Sequence, residues 1–429
     1  MINQIATVKP ARNLNGSLFL PGDKSISHRY AMLAAIATGV SKFENFSTAA
    51  DCESTLECVR ALGCEVVREG SSVSITGRSG RLLQPSAPLD CGNSGSTMRM
   101  LSGLLAGQDV TCELIGDESL SRRPMARIIR PLREMGADIA GADGERPPLR
   151  ITGRKLKAIH YKMPVASAQV KTALLLGGLF ADGTTVVEEE VRTRDHGELA
   201  LRAFGAHVTR SRTSAAIVGG QQLRGIEAIV PGDISTAAFF LCAAMLFPGS
   251  NLIIDNLLLN PTRSMLLDVL ASMGARIAFL RVEEHNHELT GTIQFRPERF
   301  KGGTIEGAAS VGLIDELPVL AAIAPFSQEG IEIRDAWELR VKESDRIAAV
   351  VHNLRAMGAI VEEREDGLRV PGRQQLHGAN FDSFGDHRIA MAFSVAALRT
   401  PDESTIRGAD AVGISYPQFF HTLDTIVER

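Results

Sequence analysis

Cationic side chains recur where a helix is about to begin. Lys24 and Arg29 sit in PGDKSISHR, Arg99 in CGNSGSTMR, and Arg123 just before Pro124. Arg194 precedes Asp195, Lys342 and Arg346 lie in RVKESDR, and Arg388 in DHR. A helix start already presents unpaired N–H groups and a partial positive charge, so it suits acidic side chains or a bound anion. Lysine and arginine there suggest an anionic ligand. Any one of them alone reads as a surface charge, but repetition at equivalent places points to a cleft for a polyanionic small molecule.

PGDKSISHR follows strand-like SLFL and invites comparison with a nucleotide phosphate loop. Asp23 separates Gly22 from Lys24, however, and the upstream glycine spacing fails, which excludes that loop. What remains is Lys24 as a mobile charge for phosphate, Ser25 as a hydroxyl donor, and Arg29 one turn on as a bidentate fork. CGNSGST is a Gly-rich turn able to bring backbone N–H groups to an anion. SAQVK, from Ser167 to Lys171, puts hydrogen-bonding groups at the mouth of an otherwise apolar helix. Asp315 and Glu316 in IDELP stand at a helix start, where capping would account for at least one of them. RVKESDR packs two acids and three bases into seven residues, and its less favoured alternative is a plain salt-bridged helix start. His285, His287 and Glu288 have metal-ligand chemistry, but EEHNHELTG has the composition of a solvated turn, and no metal is expected.

The elements that carry these residues repeat. A hydrophobic phrase ending in Gly and a small residue recurs around Gly63, Gly136, Gly205, Gly274 and Gly358, roughly seventy residues apart. Each phrase follows a helix-like pattern and precedes a strand-like one, so each Gly is expected to be the left-handed residue that ends a helix. Out of phase with these run Ala-rich helical segments ending at Gly39, Gly107, Gly183, Gly249 and Gly330, with a sixth closing on Pro401. They are apolar over most of their surface and should be buried, with Ser, Thr or Asp near every start as an N-cap. Six such units split as three and three. The border falls at VPGD, giving domains 20–232 and 1–19 plus 233–429, the second holding both termini. The last helix, Tyr416–Val427, has no strand after it, and residues such as Ser17–Leu20 could supply one. A solenoid is the competing architecture, but helices this apolar need cover on all sides. The expectation is two similar globular α/β domains facing across a cleft.

Composition narrows the function. Lys and Arg number 46 against 50 Asp and Glu, which argues against a general nucleic-acid binder. The most apolar stretch, 237–254, is broken by Pro248, Gly249, Ser250 and Asn251, too short to span a bilayer. The first residues carry neither a signal-peptide core nor a transit pattern. Six cysteines form no CxxC pair and read as reduced thiols of a cytoplasmic protein.

Taken together, PGDKSISHR, GNSGSTMR, SRRPM, SAQVKTALL, RVKESDRI and DHRIAM resemble the 5-enolpyruvylshikimate-3-phosphate (EPSP) synthase family, in family order from residue 21 to 391. SAQVK resembles its class II branch. The resemblance implies an inside-out α/β barrel of two domains, each of three βαβαββ units, with a hinge. It implies enolpyruvyl transfer from phosphoenolpyruvate to the 5-hydroxyl of shikimate 3-phosphate through a tetrahedral intermediate, releasing phosphate, without metal or organic cofactor. Matched motif by motif, Lys24, Ser25, Arg29, Ser167, Ala168, Gln169, Arg194, Asp315 and Lys342 are implied contacts of shikimate 3-phosphate. Lys24, Gly95, Arg123, Gln169, Arg346 and Arg388 are implied contacts of phosphoenolpyruvate. Asp315, Glu343 and Lys24 are the implied catalytic groups, with Asp315 taking the 5-hydroxyl proton and Glu343 shuttling a proton at C3. Glyphosate is the implied inhibitor, with room for it at Gly95, and a monomer is implied. The family's other branch has a Lys near the last helix where this chain has Ile414-Ser415, so one cation is absent or replaced. Two alternatives stand beside this reading. One is a UDP-N-acetylglucosamine enolpyruvyl transferase, which would use a loop Cys; the other is a non-catalytic anion-binding repeat scaffold.

Overall fold

The computed structural model describes residues 4–429. Two compact units result. One holds the chain up to Pro21 with Gly232–Glu283 and Leu289–Arg429; the other holds Gly22–Pro231 with the short segment Glu284–Glu288.

Within each unit the same sheet is built three times. A central strand takes a parallel partner on one side and an antiparallel strand on the other, and a further strand lies beyond the latter in every sheet except the three-stranded one centred on Ser404–Arg407. In the Gly22–Pro231 unit the central strands are Val40–Glu44, Thr111–Ile115 and Thr184–Glu188. In the other unit they are Asn251–Leu258, Ile331–Ile333 and Ser404–Arg407. Strands such as Val40–Glu44 alternate exposed and buried residues, so one sheet face is wet and the other packs inward.

The inward faces cover the Ala-rich helices. These are Lys24–Ile36, Gly95–Ala106 and Ala168–Gly178 in one unit, and Ile234–Met245, Leu317–Ile323 and His387–Ala397 in the other. Every residue of Ile234–Met245 and of His387–Ala397 is buried. Small side chains make that possible: a Cβ on Gly103 would lie 2.0 Å from the Ala173 carbonyl oxygen, so the Gly95 and Ala168 helices meet backbone to backbone. Side-chain caps start five of the six, from Asp23, Ser94, Ser167, Asp233 and Asp386. The five phrase-ending glycines all have φ between 88° and 109°, as the helix-terminating role requires.

Two expectations change. The strand that completes the last sheet is Ile5–Val8, paired with Ser404–Arg407, not Ser17–Leu20. Ser17 and Leu18 lie instead in Asn13–Phe19, where they pair with Ile253 and Ile254. Pro10, which has no N–H to donate, separates two short strands that serve two different sheets. The final helix is shorter than expected, Phe419–Ile426, and a strand does follow it: Val427–Glu428, paired with Asn13 and Leu14.

Candidate active site

In the Gly22–Pro231 unit the cations gather at the mouths of its three buried helices. Asp23 caps the first helix by accepting from the Ile26 N–H at 2.9 Å, which fixes Lys24 and Ser25 in the first turn. Lys24 Nζ lies 2.7 Å from Asp51 Oδ2, and both side chains are largely buried. Arg29 is buried and reaches across to the third helix, donating from Nη2 to Thr172 Oγ1 at 2.9 Å and toward the Ala168 carbonyl at 3.5 Å. Burial pulls its pKa down to about 10, with Glu198 and Asp23 opposing and Arg194 adding to the fall. Ser167 caps the third helix through the Val170 N–H. Gln169 then joins the second and third helices: its Oε1 accepts from Arg99 at 2.8 Å and its Nε2 donates to Ser96 at 2.9 Å. Arg123 donates to Asn93 Oδ1 at 2.9 Å. Gly95 faces both arginines, since a Cβ there would stand 2.9 Å from Arg99 Nη1 and 3.4 Å from Arg123 Nη1.

Sequence reading missed the supports. Asp51, Thr172 and Asn93 hold cations and Ser96 holds Gln169, and each comes from another segment of the chain than the residue it holds. Also unforeseen is a line of hydroxyls from His28 Nδ1 to Thr55, Thr97 and Ser94, each step 2.7 Å. Burial, followed by Lys24 and Arg29, holds the His28 pKa well below its usual value, so the ring is neutral.

The other unit builds its cluster around acids. Asp315 is faced by three cations: Arg346 Nη1 at 3.7 Å, Lys342 Nζ at 3.9 Å and Arg388 Nη2 at 3.9 Å. Arg388 also donates to the Asp315 backbone carbonyl at 2.7 Å. Arg346 is fully buried, with Asp386 Oδ2 2.8 Å from its Nε and Glu343 Oε2 2.6 Å from its Nη2. Burial opposes the Arg346 charge, but Asp386, Glu343 and Asp315 more than offset it and hold the guanidinium protonated. Burial likewise works against Asp386, and Arg346 overcomes it to keep the carboxyl below its usual value. Asp386 also caps the His387 helix through the Arg388 N–H at 2.9 Å and accepts from Ser344 Oγ at 3.0 Å. Lys342 is held below its usual pKa, mainly by burial, with Asp315 pulling the other way.

Three local readings are corrected. Capping does not account for either acid of IDELP: no side-chain cap bond forms at the Leu317 helix. Glu316 is instead buried, accepting from Ser235 Oγ and from Arg263 at 3.3 Å, which leaves Asp315 to the cations. Second, the His285–Glu288 turn is not wholly solvated. Glu288 is buried and paired with His196 Nδ1 at 2.6 Å, because a charged carboxylate loses its water only where a donor replaces it. Third, RVKESDR is not one continuous helix start: Trp337–Val341 forms a 3-10 turn and the helix begins at Arg346, so Lys342 and Glu343 fall in the connection. Where the other branch has a lysine, Ser415 carries a buried Oγ with no hydrogen-bond partner.

Two units of three repeats, with cations set at the mouths of buried helices, define the enolpyruvyl transferase fold. Residues 8–423 match the family of EPSP synthase (3-phosphoshikimate 1-carboxyvinyltransferase), and the chain belongs to that family. It is 60% identical over 423 residues to a 3-phosphoshikimate 1-carboxyvinyltransferase of Koribacter versatilis, covering 98% of this chain and 99% of that one. Identity to the protein of that name from Solibacter usitatus is 54% over 422 residues, with 98% and 99% covered. Among solved structures, an EPSP synthase from Acinetobacter baumannii superimposes with a TM-score of 0.89 at 37% identity, covering 99% of this chain and 98% of that one.

Proposed function

We propose that this chain transfers the enolpyruvyl group of phosphoenolpyruvate to the 5-hydroxyl of shikimate 3-phosphate in the chorismate pathway. The 5-oxygen bonds to C2 of phosphoenolpyruvate as its proton leaves and C3 gains one. The tetrahedral adduct then loses a proton from C3 and breaks the C2–phosphate oxygen bond, giving EPSP and inorganic phosphate. The observation that carries this reading is Asp315, a carboxylate faced by Lys342, Arg346 and Arg388 within 4 Å. A carboxylate placed among the cations that bind the substrates' acidic groups is positioned to accept the hydroxyl proton.

Roles follow from chemistry. Ser25, Arg29, Ser167, Ala168, Gln169 and Arg194 hold shikimate 3-phosphate, whose phosphate suits hydroxyl and guanidinium donors. Arg123, Arg346 and Arg388 hold the phosphate and carboxylate of phosphoenolpyruvate, with Gly95 giving it room. Lys24 and Gln169 touch both substrates, and Lys342 lies beside them. Glu343, steadied by Arg346, moves the proton at C3, and Lys24 stabilises the departing phosphate. Glyphosate competes for the phosphoenolpyruvate contacts, and the enzyme works as a cytoplasmic monomer. None of the described helices is long and apolar enough to cross a membrane, and all six cysteines are free and buried, which suits that setting.

Phosphate release is the test. With phosphoenolpyruvate present, release on adding shikimate 3-phosphate but not UDP-N-acetylglucosamine supports the reading. Release only with the sugar nucleotide, or with neither, overturns it.

A further inference from the structure

The third repeat of the Gly22–Pro231 unit carries an open cavity of about 530 Å³ that none of the roles above uses. That volume is within the range of small-molecule sites. Its most buried lining is Lys171, whose Nζ lies 2.9 Å from Glu189 and 2.8 Å from Glu198, all three side chains being at least 95% buried. Outside these stand four arginines. Arg192 and Arg210 share Asp195 Oδ2 at 2.9 and 3.0 Å. Arg202 and Arg212 are exposed and form no ion pair among the described residues. Five cationic side chains thus face three carboxylates, and the excess positive charge belongs to Arg202 and Arg212.

Two features argue against a merely solvated charge cluster. First, Glu198 lines the cavity, and its buried Oε2 has no hydrogen-bond partner. A buried acceptor left unmade is costly, and burial holds this carboxyl above its usual pKa although Lys171 opposes the shift. Second, the Ser211 and Ser214 hydroxyls, 2.7 Å apart, add neutral hydrogen-bonding capacity at the same wall. The combination asks for a ligand with acidic groups for the arginines and a donor for Glu198.

We propose that this cavity is a second small-molecule site, for a multiply charged anion that carries hydroxyl groups. Arg202 and Arg212 take its acidic groups, and Glu198 accepts from a hydroxyl. Carboxylate and phosphate esters share that chemistry, so the probes separate them: citrate, fructose 1,6-bisphosphate and, lacking carbon-bound hydroxyls, inorganic phosphate.

Calorimetric titration of the full chain tests it. One of the two hydroxylated probes should bind with one site per chain and a Kd below about 1 mM. Arg202→Ser/Arg212→Ser should weaken it at least tenfold, with enzyme activity retained. Lys24→Met/Arg123→Gln, which strips the proposed catalytic cations, should leave it unchanged. Phosphate should bind more weakly than the better probe. The proposal fails if neither hydroxylated probe binds, or if binding survives loss of Arg202 and Arg212. It also fails if binding is lost with Lys24 and Arg123 instead.

Discussion

The two units solve the same problem, holding a cation in a buried place, by different means. In the Gly22–Pro231 unit three arginines at the helix mouths hydrogen-bond to neutral oxygens: Arg29 to Thr172, Arg99 to Gln169 and Arg123 to Asn93. Such bonds fix a guanidinium without cancelling its charge. In the other unit carboxylates do the holding, and Arg346 alone is approached by Asp386, Glu343 and Asp315. Neutral supports suit binding of an anion, whereas carboxylates among cations suit proton movement. Among the site residues of the first unit described above, Lys24, paired with Asp51, is an exception.

The sharpest break is at that exception. Lys24→Met should lower turnover by about 10²- to 10³-fold, as loss of a group that acts in the transition state does. Its fold, read by circular dichroism and thermal unfolding, should be intact; retained activity would remove Lys24 from the mechanism. Next comes Asp386→Asn, which leaves Arg346 one carboxylate short in a buried place and should cost about 3–5 kcal/mol in denaturant unfolding. Asp386 has its pKa depressed in the folded state, so its contribution is present above the usual aspartate range and is lost as pH falls through the folded value. Wild type should therefore lose more stability on acidification than the variant, and equal losses would contradict the pairing.

Glu343→Ala should slow solvent-deuterium incorporation at C3 by about 10²-fold or more; an unchanged rate would assign the proton to another acid. Lys342 should give a pH signature. Because its pKa lies below the usual 10.5, it loses charge early, and the alkaline limb of kcat/KM should fall below pH 10.5 and move upward in Lys342→Arg. A limb that stays put would exclude Lys342 from the profile. The smallest effect is at Gly95→Ala. The added methyl meets the far end of flexible Arg99 at 2.9 Å, so the side chain gives way and the fold survives. Phosphoenolpyruvate and glyphosate should both bind about tenfold more weakly, within the range a misplaced charged hydrogen bond costs. An inhibition constant that did not rise would contradict the steric argument.

Much of this was legible in the chain. Helix-ending glycines and capping residues act over three or four positions, so their spacing carries the repeat directly. The cation-bearing phrases stood out because lysine and arginine are unusual at a helix start. Partners from distant segments were not legible. Nothing around Lys24 names Asp51, and nothing around Arg29 names Thr172, because such pairs exist only once separate elements pack. Glu288 misled for the same reason: its neighbours are polar, but its partner His196 is 92 residues away. The N-terminal strand of the last sheet, Ile5–Val8, lies on the other side of Pro10 from the expected Ser17–Leu20, because both stretches flanking Pro10 are plausible strands and only sheet register decides between them.

The pairing of Ile5–Val8 with Ser404–Arg407 has a consequence for how the protein is made. Nearly all of the Gly22–Pro231 unit is one continuous run of chain, so its three sheets can form while synthesis continues. The last sheet of the other unit cannot close until the ribosome has delivered residues some four hundred positions after its edge strand. Closing so long a loop, compared with one repeat of about seventy residues, costs roughly 1.5 kcal/mol more in chain entropy. Strand Ile5–Val8 therefore waits, once made, for a partner translated some four hundred residues later, and it must stay available until then.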